Sequence, residues 1–129
     1  MSKFVVYNSP SGFRFALRAS NGQSIVTSEV YGKLPGCFKG IESVRRSAPD
    51  AHVEDQTLPG FRPQPHPKFE MYMDKAGEYR FRLKARNGKI IAVSEGYTNK
   101  SGCENGIESV RANAAEAEVV SGDCPQMPI

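Results

Sequence analysis

Gly40-Ile41-Glu42-Ser43-Val44-Arg45 recurs letter for letter as Gly106-Ile107-Glu108-Ser109-Val110-Arg111. The identity extends outward on both sides. Cys37 returns as Cys103, Tyr31 as Tyr97, Ser28-Glu29 as Ser94-Glu95, Asn21-Gly22 as Asn87-Gly88, and Arg14-Phe15 as Arg80-Phe81. All these pairs stand 66 residues apart, so no insertion or deletion falls between Arg14 and Val53. The chain of 129 residues is a tandem duplication. A unit of about 50 residues is near the size at which independent folding becomes marginal, so the two copies are expected to pack on one another.

In the first copy Phe13, Phe15, Leu17 and Ala19 alternate with Arg14, Ala16 and Arg18, the period of a strand with one buried face. Asn21-Gly22 marks a hairpin leading to a strand over 23–29, and Phe4–Tyr7 is a short strand before both. The period then changes. Cys37, Ile41, Val44 and Ala48 form an apolar helical stripe, repeated by Cys103, Ile107, Val110 and Ala114. Ser101 with Glu104 reads as a capping box, Pro35 suits a first helical turn, and Pro49 ends the first helix. Short strands over 51–55 and 117–121 close the units. The predicted fold is α+β: two β-β-β-α-β repeats, 1–55 and 69–121, forming one antiparallel sheet with both helices on one face. Residues 56–68 hold four prolines and read as a semi-rigid connector, and 122–129 as a flexible tail.

Composition narrows the function classes. A net charge of +3 is too small to imply a nucleic-acid partner by itself. No stretch resembles a signal peptide or a membrane span, and three cysteines read as reduced thiols, so a cytoplasmic protein that does not engage membranes is expected. Three cysteines and two histidines show no metal-ligand spacing, and no catalytic or cofactor-binding constellation is visible.

Strand-Asn-Gly-strand-Ser-Glu-x-Tyr, followed by Gly-Cys and Gly-Ile-Glu-Ser-Val-Arg on a helix, resembles the YegP-like family of small bacterial domains of unknown function. The likeness spans both repeats. It implies a single sheet in which the C-terminal strands are exchanged between the units, within one chain or between two, so a monomer and a strand-exchanged homodimer both stay open. It implies no activity.

Three groups of residues carry candidate chemistry. Cys37 and Cys103 stand at helix starts, where a thiolate can be favoured, yet both lie on the apolar stripe, which points to packing. Glu42, Ser43 and Arg45, with Glu108, Ser109 and Arg111, are polar and retained in both copies. An exposed i,i+3 pair stabilises too little to explain that, so a partly buried contact is expected. The third group is where the copies differ. Arg80, Arg82, Lys84 and Arg86 alternate along the outward face of the second copy's central strand, with Tyr72 beside them, whereas the first copy offers only Arg14 and Arg18. A basic open sheet face with an aromatic suits an anionic partner such as single-stranded nucleic acid. A solvated face whose charges offset nearby glutamates is the plainer alternative. The expected role is a non-catalytic binding module, with a cysteine-based redox protein as the rival class.

Overall fold

The structure, a computed structural model, describes residues 1–122; the tail that carries Cys124 lies outside the described residues. In chain order the elements are β1 (Lys3–Ser9), β2 (Gly12–Arg18), β3 (Ser24–Thr27), α1 (Leu34–Ser47), a 3-10 turn (Ala48–Asp50) and β4 (His52–Asp55). The second unit has β5 (Lys68–Met73), β6 (Tyr79–Lys84), β7 (Ile90–Ser94), α2 (Lys100–Ala114) and β8 (Glu118–Ser121). The eight strands form one sheet in the order β4-β5-β6-β7-β3-β2-β1-β8.

The sheet is mixed and not wholly antiparallel as the repeats suggested. β4 lies parallel to β5, and β8 parallel to β1, at the two edges. The helices account for this. α1 has 14 residues, about 21 Å at 1.5 Å per residue. Four inter-strand steps of about 4.8 Å come to about 19 Å, so the helix is long enough to carry the chain from β3 over β7, β6 and β5. The last strand of each unit is thereby laid beside the first strand of the other. Its direction is set by the end at which the helix delivers it. Parallel neighbours cannot be joined by a tight turn and need a dozen or so connecting residues. Residues 56–67 supply that length, running back from the end of β4 to the start of β5.

One core joins the units. Phe4, Phe15, Leu17 and Val26 of the first meet Phe69, Phe81, Leu83 and Ala92 of the second under Ile41, Val44, Ile107 and Val110. Within each unit three aromatics stack in sequence. Phe4 meets Phe15 edge-on at 5.8 Å, and Phe15 stacks on Tyr31 at 6.2 Å; Phe69, Phe81 and Tyr97 repeat the arrangement at 5.8 and 6.4 Å. The tyrosine rings lie against the helices at Gly40 and Gly106, which explains those glycines. A Cβ at Gly40 would collide with the Tyr31 hydroxyl and sit 2.7 Å from Cζ and 3.0 Å from Phe15 Cε2. Gly40→Ala is therefore expected to cost about 1–3 kcal/mol in urea unfolding. Adding Tyr31→Phe should recover part of the loss, and no recovery would show that the ring contact is not the cause.

Local signals behaved mostly as read. Gly22 and Gly88 take φ of 84° and 82° in the hairpins, where Asn-Gly was expected to turn. Ser28 and Ser94 are retained because each hydroxyl accepts the N–H of Phe15 or Phe81, at 2.9 Å, and donates to the carbonyl of the following glutamate. The start of α2 differs from expectation. Its N-cap is Asn99, whose Oδ1 accepts the Gly102 N–H at 2.8 Å, while Ser101 donates to Asn99. The helix begins at Lys100, so Ser101 lies inside the first turn and cannot cap it. Among the described residues no helix is long and apolar enough to cross a membrane.

Candidate functional site

The face of the sheet away from the helices carries the candidate residues. Antiparallel pairing sets Tyr72 opposite Arg80, Glu70 opposite Arg82 and Lys68 opposite Lys84, all on that face. None of the three cations is free. Arg82 Nε lies 2.6 Å from Glu70 Oε1, and Lys84 Nζ 3.2 Å from the same oxygen. Arg80 Nε lies 2.6 Å from Asp74, and its Nη1 donates to the Ser94 carbonyl at 3.1 Å. The Arg82 guanidinium covers the Tyr72 ring at 4.6 Å. Arg86 leaves the face altogether: β6 ends at Lys84, and Arg86 is exposed in the loop to β7.

Beneath these side chains sits an ionic core. Lys68 Nζ bridges Glu54 at 2.7 Å and Glu70 at 3.2 Å, and the three residues are only 7%, 2% and 3% exposed. The proline-rich connector helps to cover them, since the Gln64 N–H donates to Glu54 Oε1 at 2.7 Å. Burial pushes the Glu54 carboxyl up, but hydrogen bonds from Lys68, Gln56 and Gln64 outweigh it and bring it from 4.5 to about 2. Burial likewise raises Glu70, and Arg82, Lys68 and Lys84 more than reverse it. Burial lowers the Lys68 ammonium, and its two glutamates carry it above its ordinary value.

The other half of the face is built differently. The positions equivalent to Glu54, Glu70 and Arg82 are Val120, Val5 and Ala16, and they too are neighbours, with Val5 opposite Ala16 on one side and Val120 on the other. An apolar row in one half thus stands where the other has an ionic row. The substitutions keep to the pairing that crosses between units: Glu54 belongs to the first repeat but matches the charges of the second. Arg14 and Arg18 flank Ala16, half-buried and without an ion pair among the described residues, and their buried Nε atoms have no hydrogen-bond partner. Lys3 stands opposite Arg18. The denser basic strand is neutralised by Glu70 and Asp74, and the sparser one holds the guanidiniums without an ion pair among the described residues. Lys68 is retained as Lys3, but reading the copies for retained residues passes over Glu54 and Glu70. The signal that finds them is three concerted apolar-to-charged differences on one face.

The connector adds a groove beyond the end of β4. Leu58 and Phe61 face Tyr72, Met73, Tyr79 and Arg82 across a volume of about 730 Å³.

The retained Glu-Ser-x-Arg finds its partners across the units. Arg111 donates to the carbonyls of Ala48 at 2.9 Å, Pro49 at 3.2 Å and Ala51 at 2.5 Å, and lies over the Phe69 ring at 5.2 Å. Arg45 donates to the Ala117 carbonyl at 2.5 Å and lies over Phe4 at 5.5 Å. Each arginine holds the chain where it leaves the other unit's helix. Glu42 and Glu108 steady their own arginines at 2.9 and 3.3 Å. Asn113 donates to the hydroxyl and carbonyl of Ser109, whereas Ser43 faces a cleft. Cys37 and Cys103 are fully buried. Burial, followed by Glu104 and Asp55, pushes the Cys103 thiol up to about 11, the opposite of an activated nucleophile.

Known proteins resemble this chain over both repeats or over one. A UPF0339 protein in the ptx operon 5′ region of Stutzerimonas stutzeri is 36% identical over 118 residues, 91% of this chain and 93% of that one. A UPF0339 protein of Methanosarcina acetivorans is 58% identical over 53 residues, 41% of this chain but 91% of that one, so that relative is about the size of one repeat. The solution NMR structure of yegP from E. coli, described as a protein of unknown function, matches with a TM-score of 0.76 and 33% identity over 95% of this chain and 93% of its own. Residues 9–55 and 74–121 each match the family described as Domain of unknown function (DUF1508), and the chain belongs to that family, carrying the domain twice.

Proposed function

We propose that this chain is a non-catalytic binding module whose open sheet face takes an anionic partner, with single-stranded nucleic acid as the concrete form. One observation carries the reading: Arg14 and Arg18 present guanidiniums on a flat face with no carboxylate to satisfy them among the described residues. Arg80, Arg82, Lys84 and Tyr72 extend the same surface but enter as ion pairs already made, so they guide a partner more weakly than their number suggests. The raised Cys103 thiol weighs against the cysteine-based alternative.

The test is a titration of fluorescently labelled oligothymidylate at low and high salt. Binding is expected to weaken with salt, and Arg14→Glu with Arg18→Glu should lower the salt slope by about 1.4, the share of two phosphates on a single strand. Arg82→Glu should have the smaller effect, since Glu70 already offsets that charge. Absent or salt-insensitive binding, or binding indifferent to the Arg14 and Arg18 reversals, would sink the reading.

A further inference from the structure

The last turn of α1 and the loop between β6 and β7 enclose a cleft of about 460 Å³ lined by Ser43, Arg46, Ser47, Ala85, Arg86 and Asn87. It lies at the end of the helix layer, away from the open face, and combines side chains of both repeats. Arg46 and Arg86 are exposed and meet no carboxylate among the described residues. Glu42, one turn before Arg46 on the same helix, is engaged by Arg45 at 2.9 Å. Ser47 is only 6% exposed, and neither its hydroxyl nor that of Ser43 makes a hydrogen bond among the described residues. Ser47 is thus a nine-tenths-buried side chain that lines the cleft and makes no hydrogen bond to the described residues, which leaves its hydroxyl to a ligand there.

The duplication supplies an internal comparison. The equivalent positions in the other half are Ser109, Ala112, Asn113, Ala19, Ser20 and Asn21. Both guanidiniums are gone there, and Asn113 turns inward onto Ser109 at 2.7 and 3.1 Å. In one copy the Asn113 amide satisfies the serine of its own helix; the other keeps a cleft that is basic and lined with hydroxyls.

We infer that the cleft between α1 and the β6–β7 loop binds a dianionic phosphate group, free or as a phosphomonoester. Guanidinium forks match the oxygens of a tetrahedral oxyanion, and the serine hydroxyls and the Asn87 amide supply neutral donors. The carbonyl end of α1 contributes about half a negative charge, which two full positive charges outweigh. The site is independent of the proposed open-face reading.

Nuclear magnetic resonance titrations of the full-length, 15N-labelled chain test it, using inorganic phosphate, glycerol phosphate and, as a monoanionic diester, dimethyl phosphate. Saturable shifts are expected at residues 43–48 and 85–88 with the first two probes and much weaker ones with the third. The equivalent residues 109–114 and 19–22 should stay still. Arg46→Ala with Arg86→Ala, both at exposed positions, should weaken binding about tenfold or more. Ser47→Ala should weaken it less. Arg14→Glu with Arg18→Glu should leave it unchanged, which keeps this site's failure distinct from that of the sheet face. Shifts that never saturate, that persist in the Arg46/Arg86 variant, or that centre on Arg14 and Arg18 would overturn the inference.

Discussion

Replacing Lys68 by methionine is expected to destabilise the protein by about 3–5 kcal/mol, because it leaves two buried carboxylates facing each other without their shared cation. Glu54 and Glu70 stand directly opposite in the parallel pair, both almost wholly buried, and Lys68 Nζ lies within 3.2 Å of each. Arg82 and Lys84 still reach Glu70, but Glu54 would keep only Gln56 and the Gln64 N–H. The other half of the sheet says what the fold tolerates instead. Replacing the whole group, as Glu54→Val, Lys68→Met, Glu70→Val and Arg82→Ala together, should come out near neutral, since replacing a buried ionic group by packed apolar residues often costs little. Urea unfolding of the two variants decides the point, and equal losses in both would show that the network is not what makes Lys68 necessary.

The same network sets a pH dependence. The folded carboxyls of Glu54 and Glu70 lie below their ordinary 4.5, Glu54 at about 2, so the unfolded chain binds protons first. The stabilisation is fully present above about pH 4.5 and is lost as pH falls from there toward 2. The apolar variant should lose less over that window, and parallel curves for parent and variant would place the acid sensitivity elsewhere.

Arg111→Ala is the second large effect, expected to cost about 2–4 kcal/mol from charged hydrogen bonds to carbonyls at the end of the other unit's helix. Arg111→Lys should recover only part of this, because an ammonium cannot span three carbonyls as a planar fork does. Arg45→Ala should cost less, with one carbonyl at stake instead of three. If the two alanine variants lose the same stability in urea unfolding, the carbonyl clasp is not the reason these arginines recur in both repeats.

These expectations differ in how far they could be read beforehand. The stripe Cys37-Ile41-Val44-Ala48, the alternation around Phe15 and the Asn-Gly turns were legible because each is a local regularity: backbone geometry alone sends those side chains to one face. The cap of α2 was misplaced by two residues, since Ser101 and Asn99 both suit the position and the helix start decided between them. The retained Glu-Ser-x-Arg could be recognised as needing a buried contact. Its partners could not, because Arg45 reaches a carbonyl 72 residues away and Arg111 one 60 residues away.

By itself, the sequence determined the duplication, the order of strands and helices in each unit and the side of each element that is buried. All of these follow from short-range periodicity and from what two copies keep. Only the tertiary structure decided which charges are available. The basic strand Arg80-Arg82-Lys84 looked like the stronger anion surface, but Glu70 and Asp74 of its own repeat neutralise it, and a strand delivered from the other repeat adds Glu54, which shares Lys68 with Glu70. Among the described residues Arg14 and Arg18 have no carboxylate because they stand opposite Tyr7 and Lys3, with Val5 and Val120 where the other half has Glu70 and Glu54. A charge is neutralised by whatever lies within a few ångströms of it: Glu70 reaches its cations from the adjacent hairpin strand, but the residue on its far side, Glu54 here and Val120 beside Val5, is set by long-range pairing between the repeats.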